Sequence, residues 1–118
     1  MTYEIDLTPA ARVDIVDALD WSLENFGESV RDGYQALIFA TLNAIGSNPS
    51  LLGSHDRSDL AAGLRAVHLR TFRSQVTPTA RRIASPRHFV IYRQVGEVIQ
   101  VVRFLHESMD FPAQHFGE

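Results

Sequence analysis

The stretch Val98-Ile-Gln-Val-Val-Arg-Phe-Leu-His106 decides the fold. It is an apolar run rich in Val, Ile and Phe, with Gly96 just ahead of it and Arg103 and His106 near its end. β-Branched and aromatic side chains suit a pleated, buried surface, and the run is short for a helix, so it reads as a central strand covered on both faces. Before it, Arg87 to Arg93 reads as another strand, with Phe89 and Ile91 on the face opposite Val90 and Tyr92. Gln94-Val95-Gly96-Glu97 is a tight connection, which makes the two strands a hairpin.

Working outward, Leu64 to Phe72 alternates and reads as a further strand, with Arg65, Val67 and Leu69 against Ala66, His68 and Arg70. Residues 74–86, with two prolines and Arg81-Arg82, form a long basic loop between these strands. At the other end of the chain, Tyr3, Ile5 and Leu7 alternate with Thr2, Glu4 and Asp6, the pattern of a half-buried strand. Thr8-Pro9 supplies an N-cap and a first-turn proline, so a helix is expected from Pro9 to Phe26, stopped by Gly27. Its core stripe is read as Val16, Leu19, Leu23 and Phe26 with Ala11 and Ile15 beside them, and its outside as Asp14, Asp17, Asp20 and Glu24. Trp21 falls opposite that stripe, as either a partner contact or a ring folded onto a neighbouring loop.

A second helix is expected from Glu28 to Ala44, with Val30, Tyr34, Ile38, Thr41, Leu42 and Ile45 on one face, flanked by Leu37 and Phe39. The short link forces an antiparallel helical hairpin. Gly46 to Gly63 reads as irregular chain with Leu51 and Leu52 tucked beneath it, and the segment after His106 as a loop or one helical turn. The order is β-α-α-β-β-β. An α+β domain spanning 1–118 follows, its helical hairpin packed on one face of a mainly antiparallel sheet.

Composition narrows the function. The chain has 118 residues and 45% hydrophobic content, enough for one real core and too apolar for disorder. With no cysteine there is no disulfide framework, zinc ribbon or thiol nucleophile. The lack of a signal-peptide pattern or a bilayer-length apolar run gives a cytoplasmic, non-membrane expectation. Residues 1–35 hold eight acids and two arginines, a net of −6, whereas residues 64–106 hold eight arginines and one acid, a net of +7. The second half is therefore suited to an anionic partner. All eleven basic residues are arginine, the residue of planar, bidentate contacts. No Gly-rich phosphate loop, nucleophile elbow or metal-ligand spacing is present, so no cofactor and no metal are expected.

Several motifs then align with a known family. The N-terminal strand entering Thr8-Pro-Ala-Ala with Asp14 following, Asn25-Phe26-Gly27, Asn48-Pro49, and Gly63-Leu64-Arg65 resemble the RelE/ParE superfamily of bacterial toxins. Arg87-His-Phe-Val-Ile-Tyr-Arg93 and Val102-Arg-Phe-Leu-His106 with Met109-Asp110 resemble the ParE branch in particular. The resemblance implies a type II toxin neutralised by a cognate, ParD-like antitoxin and directed at DNA gyrase by binding. The alternatives are a RelE-like, ribosome-dependent mRNA endonuclease, or a relative that only binds.

RNA cleavage requires a base, an acid and cations around one phosphate. The chain's candidates are His68, His88, His106, Tyr92, Arg93 and Arg103, of which His106, Arg103 and Tyr92 are the foremost. Tyr92 and Arg93, adjacent on a strand, point to opposite faces. His106 is expected to be satisfied by backbone or by Asp110. Arg103, inside an apolar strand, is expected to meet a helix carboxylate such as Asp14. Binding without catalysis is therefore the favoured reading, with Arg65, Arg70, Arg87 and Arg93 as the antitoxin or target contacts. Direct nucleic-acid binding is not expected.

Overall fold

The computed structural model describes residues 2–75 and 83–116. Strands β1 (Glu4–Leu7), β2 (His55–Asp56), β3 (Arg65–His68), β4 (His88–Val95) and β5 (Val98–His106) form one sheet in the order β1-β5-β4-β3-β2. Helices α1 (Pro9–Phe26) and α2 (Glu28–Ser47) fill the connection after β1. β1 runs parallel to β5, with Glu4 opposite Val98 and Leu7 opposite Val101, while the other three pairings are antiparallel. The expected α+β plan and the central place of residues 98–106 hold.

Both faces of the sheet are covered. On one, Val67, Val90, Tyr92, Ile99, Val101 and Phe104 meet Ala11, Tyr34, Leu37, Ile38 and Ile45 of the helices. On the other, Leu64, Ala66, Ile91, Val102 and Leu105 are sealed by Leu60, Phe111 and Phe116. The segment after His106 thus contributes a 3-10 turn over Phe111–Ala113 that closes the second core.

A β-bulge sets the geometry of β5. Ile91 pairs with Arg103 and Tyr92 with Val101, so Val102 is left without a partner on β4. On the opposite side β1 ends at Leu7, and the start of α1 takes over the edge. The Thr8 hydroxyl donates to the Val102 carbonyl (2.8 Å), and the Phe104 amide donates to Asp14 Oδ2 (3.0 Å). Thr8 also caps the helix, accepting from the Ala11 amide (3.0 Å).

Several expectations need correction. Helix α1 is rotated from the expected stripe: Ala11 and Ser22 are buried, Ile15, Ala18 and Leu19 pack on the core, and Val16 (54% exposed) and Phe26 (60%) face outward. Small residues at 11, 18 and 22 allow a close approach, and the rotation turns Asp14 toward β5. In α2, Leu37 is fully buried, Phe39 is exposed, and the helix runs on to Ser47. Gly46 permits this extension by lying against β1. Its carbonyl accepts from the Tyr3 amide (2.8 Å), and a Cβ there would sit 3.3 Å from Ile5 Cδ1.

The strand expected over Leu64 to Phe72 stops at His68 and becomes a 3-10 helix over Leu69–Gln75. His68 Nδ1 accepts the Arg70 amide (3.1 Å), and the 3-10 repeat brings Leu69 and Phe72 into the core together. β2 arises within chain expected to be irregular. Leu51 does pack on the core, but Leu52 is 96% exposed. Most of the basic loop expected over 74–86, including Arg81 and Arg82, lies outside the described residues.

Candidate functional site

The foremost nuclease candidates do not meet. Tyr92 is fully buried, and its hydroxyl donates to the Pro49 carbonyl (2.6 Å) and bonds Ser54 Oγ (2.5 Å). Arg103 donates two bonds to Asp14 (2.6 and 2.9 Å) and one to the His115 carbonyl (3.0 Å). His106 is satisfied by backbone, as expected, and not by Asp110: its Nδ1 accepts from the Ser108 amide (3.0 Å) and also from the Ser108 hydroxyl (2.8 Å). His106 stands opposite His88, four strand positions from Tyr92, a separation of roughly 13 Å.

The four proposed contact arginines also divide. Arg65 shares a cross-strand pair with Tyr92 and binds Ser54 through its side chain and carbonyl (2.8 and 3.1 Å), so it braces the loop before β2. Arg93 points to the other face and donates to Gln100 Oε1 (2.9 Å). Arg70 and Arg87 come together with Arg73 around a depression of about 270 Å³, walled by Ala84, Ser85 and Pro86.

Glu107 also lines this depression, and the sequence reading missed it. It accepts from His68 Nε2 (2.9 Å) and from Arg87 (3.2 Å), while its amide donates to the Arg87 carbonyl (2.8 Å). Because His68 Nδ1 accepts the Arg70 amide, the ring proton lies on Nε2 and points to the carboxylate. His68 is buried, and that desolvation pulls its pKa down; the bond from His68 in turn holds the Glu107 carboxyl below its usual range, with Arg87 helping. The signal available in the sequence was a single acid directly after a strand-ending His. What could not be read was that β3 ends at His68, beside it.

Behind this rim lies a second, buried set. Tyr34 accepts from the Arg87 amide (3.1 Å) and shares a 2.5 Å hydrogen bond with His88 Nδ1. His88 stacks on Phe104 with ring centroids 4.6 Å apart and meets His106 edge-on at 5.2 Å. Burial, with His106 nearby, pushes His88 down to about 4, and burial pushes Tyr34 up to about 12. Both are neutral near pH 7. Among the described residues no group of three or more His, Cys, Asp or Glu is placed to hold a metal, and no helix is long and apolar enough to cross a membrane.

A helical hairpin on a mixed sheet, with an arginine-lined rim where β3 and β5 end, defines a small α+β domain built around a charged surface. Residues 5–111 match the family described as ParE toxin of type II toxin-antitoxin system, parDE. Toxin ParE1 of Caulobacter vibrioides is 31% identical over 111 residues, covering 94% of this chain and 95% of that protein. A structure described as a chromosomal ParDE TA system from P. aeruginosa shares the fold at a TM-score of 0.61 with 16% identity, covering 89% of this chain and 96% of that one. The chain belongs to the ParE toxin family.

Proposed function

We propose that the protein acts by binding: it inhibits DNA gyrase and is held inactive by a cognate antitoxin. The observation that carries this reading is the engagement of Tyr92 and Arg103. Both are committed to bonds that build the fold, and neither is presented to a phosphate. The charge division supports a protein partner, since an Arg-rich rim speeds encounter with an acidic segment and fixes its register.

The test supplies purified protein to a gyrase supercoiling reaction and, separately, to translating ribosomes read by primer extension. Loss of supercoiling with intact messages is expected. Intact supercoiling with cut messages would reject the reading.

A nuclease reading has one observation in its favour. His106 and Glu107 are consecutive where β5 ends, and Glu107 is bonded to Arg87, so an imidazole, a carboxylate and a guanidinium that supply an acid, a base and a cation by type stand close in the chain. Primer extension with Glu107→Gln decides it, because cleavage that this variant abolishes would assign the chemistry to the rim.

A further inference from the structure

The depression among Arg70, Arg73, Arg87 and Glu107 has three guanidinium groups and one carboxylate, a formal surplus of +2. Its wall is fixed by the Arg73 side chain donating to the Ala84 carbonyl. Its one internal anion is already engaged: each Glu107 oxygen takes one bond, from His68 or from Arg87. The Arg87 side chain is 63% exposed, so it is reachable from solvent while it holds Glu107.

Two ligand chemistries fit guanidinium forks, carboxylate and phosphate. The remainder of the molecule separates them. Nucleic-acid affinity sums over many phosphates along an extended strand. Among the described residues this surplus is gathered in one small depression, on a chain of net −3, and helix α1 presents Asp17, Asp20 and Glu24 to solvent. A polyanion long enough to reach α1 would meet those acids as well, whereas a peptide carrying one or two carboxylates into the depression need not. Glu107 itself shows that this geometry accepts a carboxylate.

We propose that this depression receives a carboxylate from an acidic peptide segment, with Arg70 and Arg87 supplying the forks and Glu107 releasing Arg87 to the incoming group. The biological meaning rests on the antitoxin reading above, because the segment would be the antitoxin's. The chemistry can be tested without it.

The probe is a fluorescein-labelled Glu-rich peptide, read by anisotropy on the intact protein. Arg70→Gln and Arg87→Gln are each expected to weaken binding about tenfold or more, the worth of one charge-assisted hydrogen bond. Arg93→Gln removes the same charge near the far end of β4, six residues along the strand direction from Arg87, and is expected to leave binding unchanged. Glu107→Gln, which still accepts from His68 but competes less for Arg87, is expected to bind at least as tightly as the unsubstituted protein.

Equal losses from Arg93→Gln and Arg70→Gln, or no binding at all, would overturn the proposal. So would tighter, Arg70-dependent binding of a single-stranded oligonucleotide of matched charge. Circular dichroism melting confirms that each variant is folded. An antitoxin that neutralises the Arg70→Gln/Arg87→Gln protein as well as the original defeats the carboxylate site and leaves the toxin reading standing. Untouched gyrase supercoiling does the reverse.

Discussion

Asp14 and Arg103 are joined by two hydrogen bonds, 2.6 and 2.9 Å long, across the edge of β5 that β1 leaves uncovered. The same carboxylate takes the Phe104 amide at 3.0 Å, so one side chain neutralises a guanidinium and also substitutes for a missing strand. Both side chains are largely shielded, at 16% and 15% exposed. Asp14→Ala leaves a shielded cation and a backbone amide without partners, and it should cost about 3 kcal/mol in urea unfolding. The double variant Asp14→Leu/Arg103→Met should recover part of that loss. A double variant no better than Asp14→Ala would show that the guanidinium is not the origin of the cost.

His88 makes stability depend on pH. Its folded pKa of about 4 lies below the ordinary histidine value, so the unfolded chain binds the proton first as the pH falls. Its contribution is complete above pH ~6.5 and is lost as pH drops toward 4, up to about 3 kcal/mol across that window. Glu107, also depressed, acts in the same direction at the lower end of the range. His88→Phe keeps a ring beside Phe104 but cannot titrate. Its urea midpoint should fall less steeply between pH 7 and pH 4.5 than that of the unsubstituted protein, and parallel slopes would refute the assignment.

Gly53 has φ +98°, and a Cβ there would lie 2.9 Å from Thr71 Cγ2. Gly53→Ala therefore meets both a left-handed backbone and a clash, and should cost about 2 kcal/mol. Adding Thr71→Ser removes the methyl and should return about half of the loss, leaving the backbone term. Chemical denaturation of the three proteins resolves the two contributions.

Tyr92→Phe removes a hydroxyl held by Ser54 and Pro49 without changing the ring's burial. It should lower stability by about 1–2 kcal/mol, since the Pro49 carbonyl of a half-buried residue and Ser54 lose a partner. On the proposed toxin reading, growth inhibition at matched protein levels should persist in this variant, as a structural role for Tyr92 requires. Loss of inhibition in a folded Tyr92→Phe protein would return Tyr92 to the list of functional groups.

Trp21 is the sole tryptophan, is 58% exposed, and meets Phe26 edge-on at 5.5 Å. Its fluorescence should be readily quenched by acrylamide in the free protein, and Trp21→Phe should change stability by less than about 0.5 kcal/mol, as for most surface substitutions. A partner that covers α1 should shield the ring from quencher. One that occupies only the arginine rim should leave quenching unchanged.

Periodicity carried the elements well where one pattern dominated. The run from Val98 to His106, the Thr8-Pro9 helix start and the alternation of Tyr3, Ile5 and Leu7 each had one consistent reading. The stripe on α1 was misread because Val16 and Phe26 outweigh Ala11, Ala18 and Ser22 in hydrophobicity, while close packing against the sheet selects the small residues. The end of β3 was hidden because a local bond, Arg70 amide to His68, competes with the strand ladder. Arg103 announced its need for a carboxylate, since a cation inside an apolar strand has few alternatives. The arginine rim gave no such notice: strand alternation separates Arg65 from Arg93, and only the chain reversal after His68 brings Arg70 beside Arg87 and Glu107.

The parallel pairing of β1 with β5 has a consequence for synthesis. Glu4 through Leu7 have no lateral neighbour in the sheet until residues 98–101 exist, so a nascent chain emerging from the ribosome carries an orphan strand until β5 has been made. The helical hairpin of a chain built this way can therefore form before the sheet that it packs against is complete.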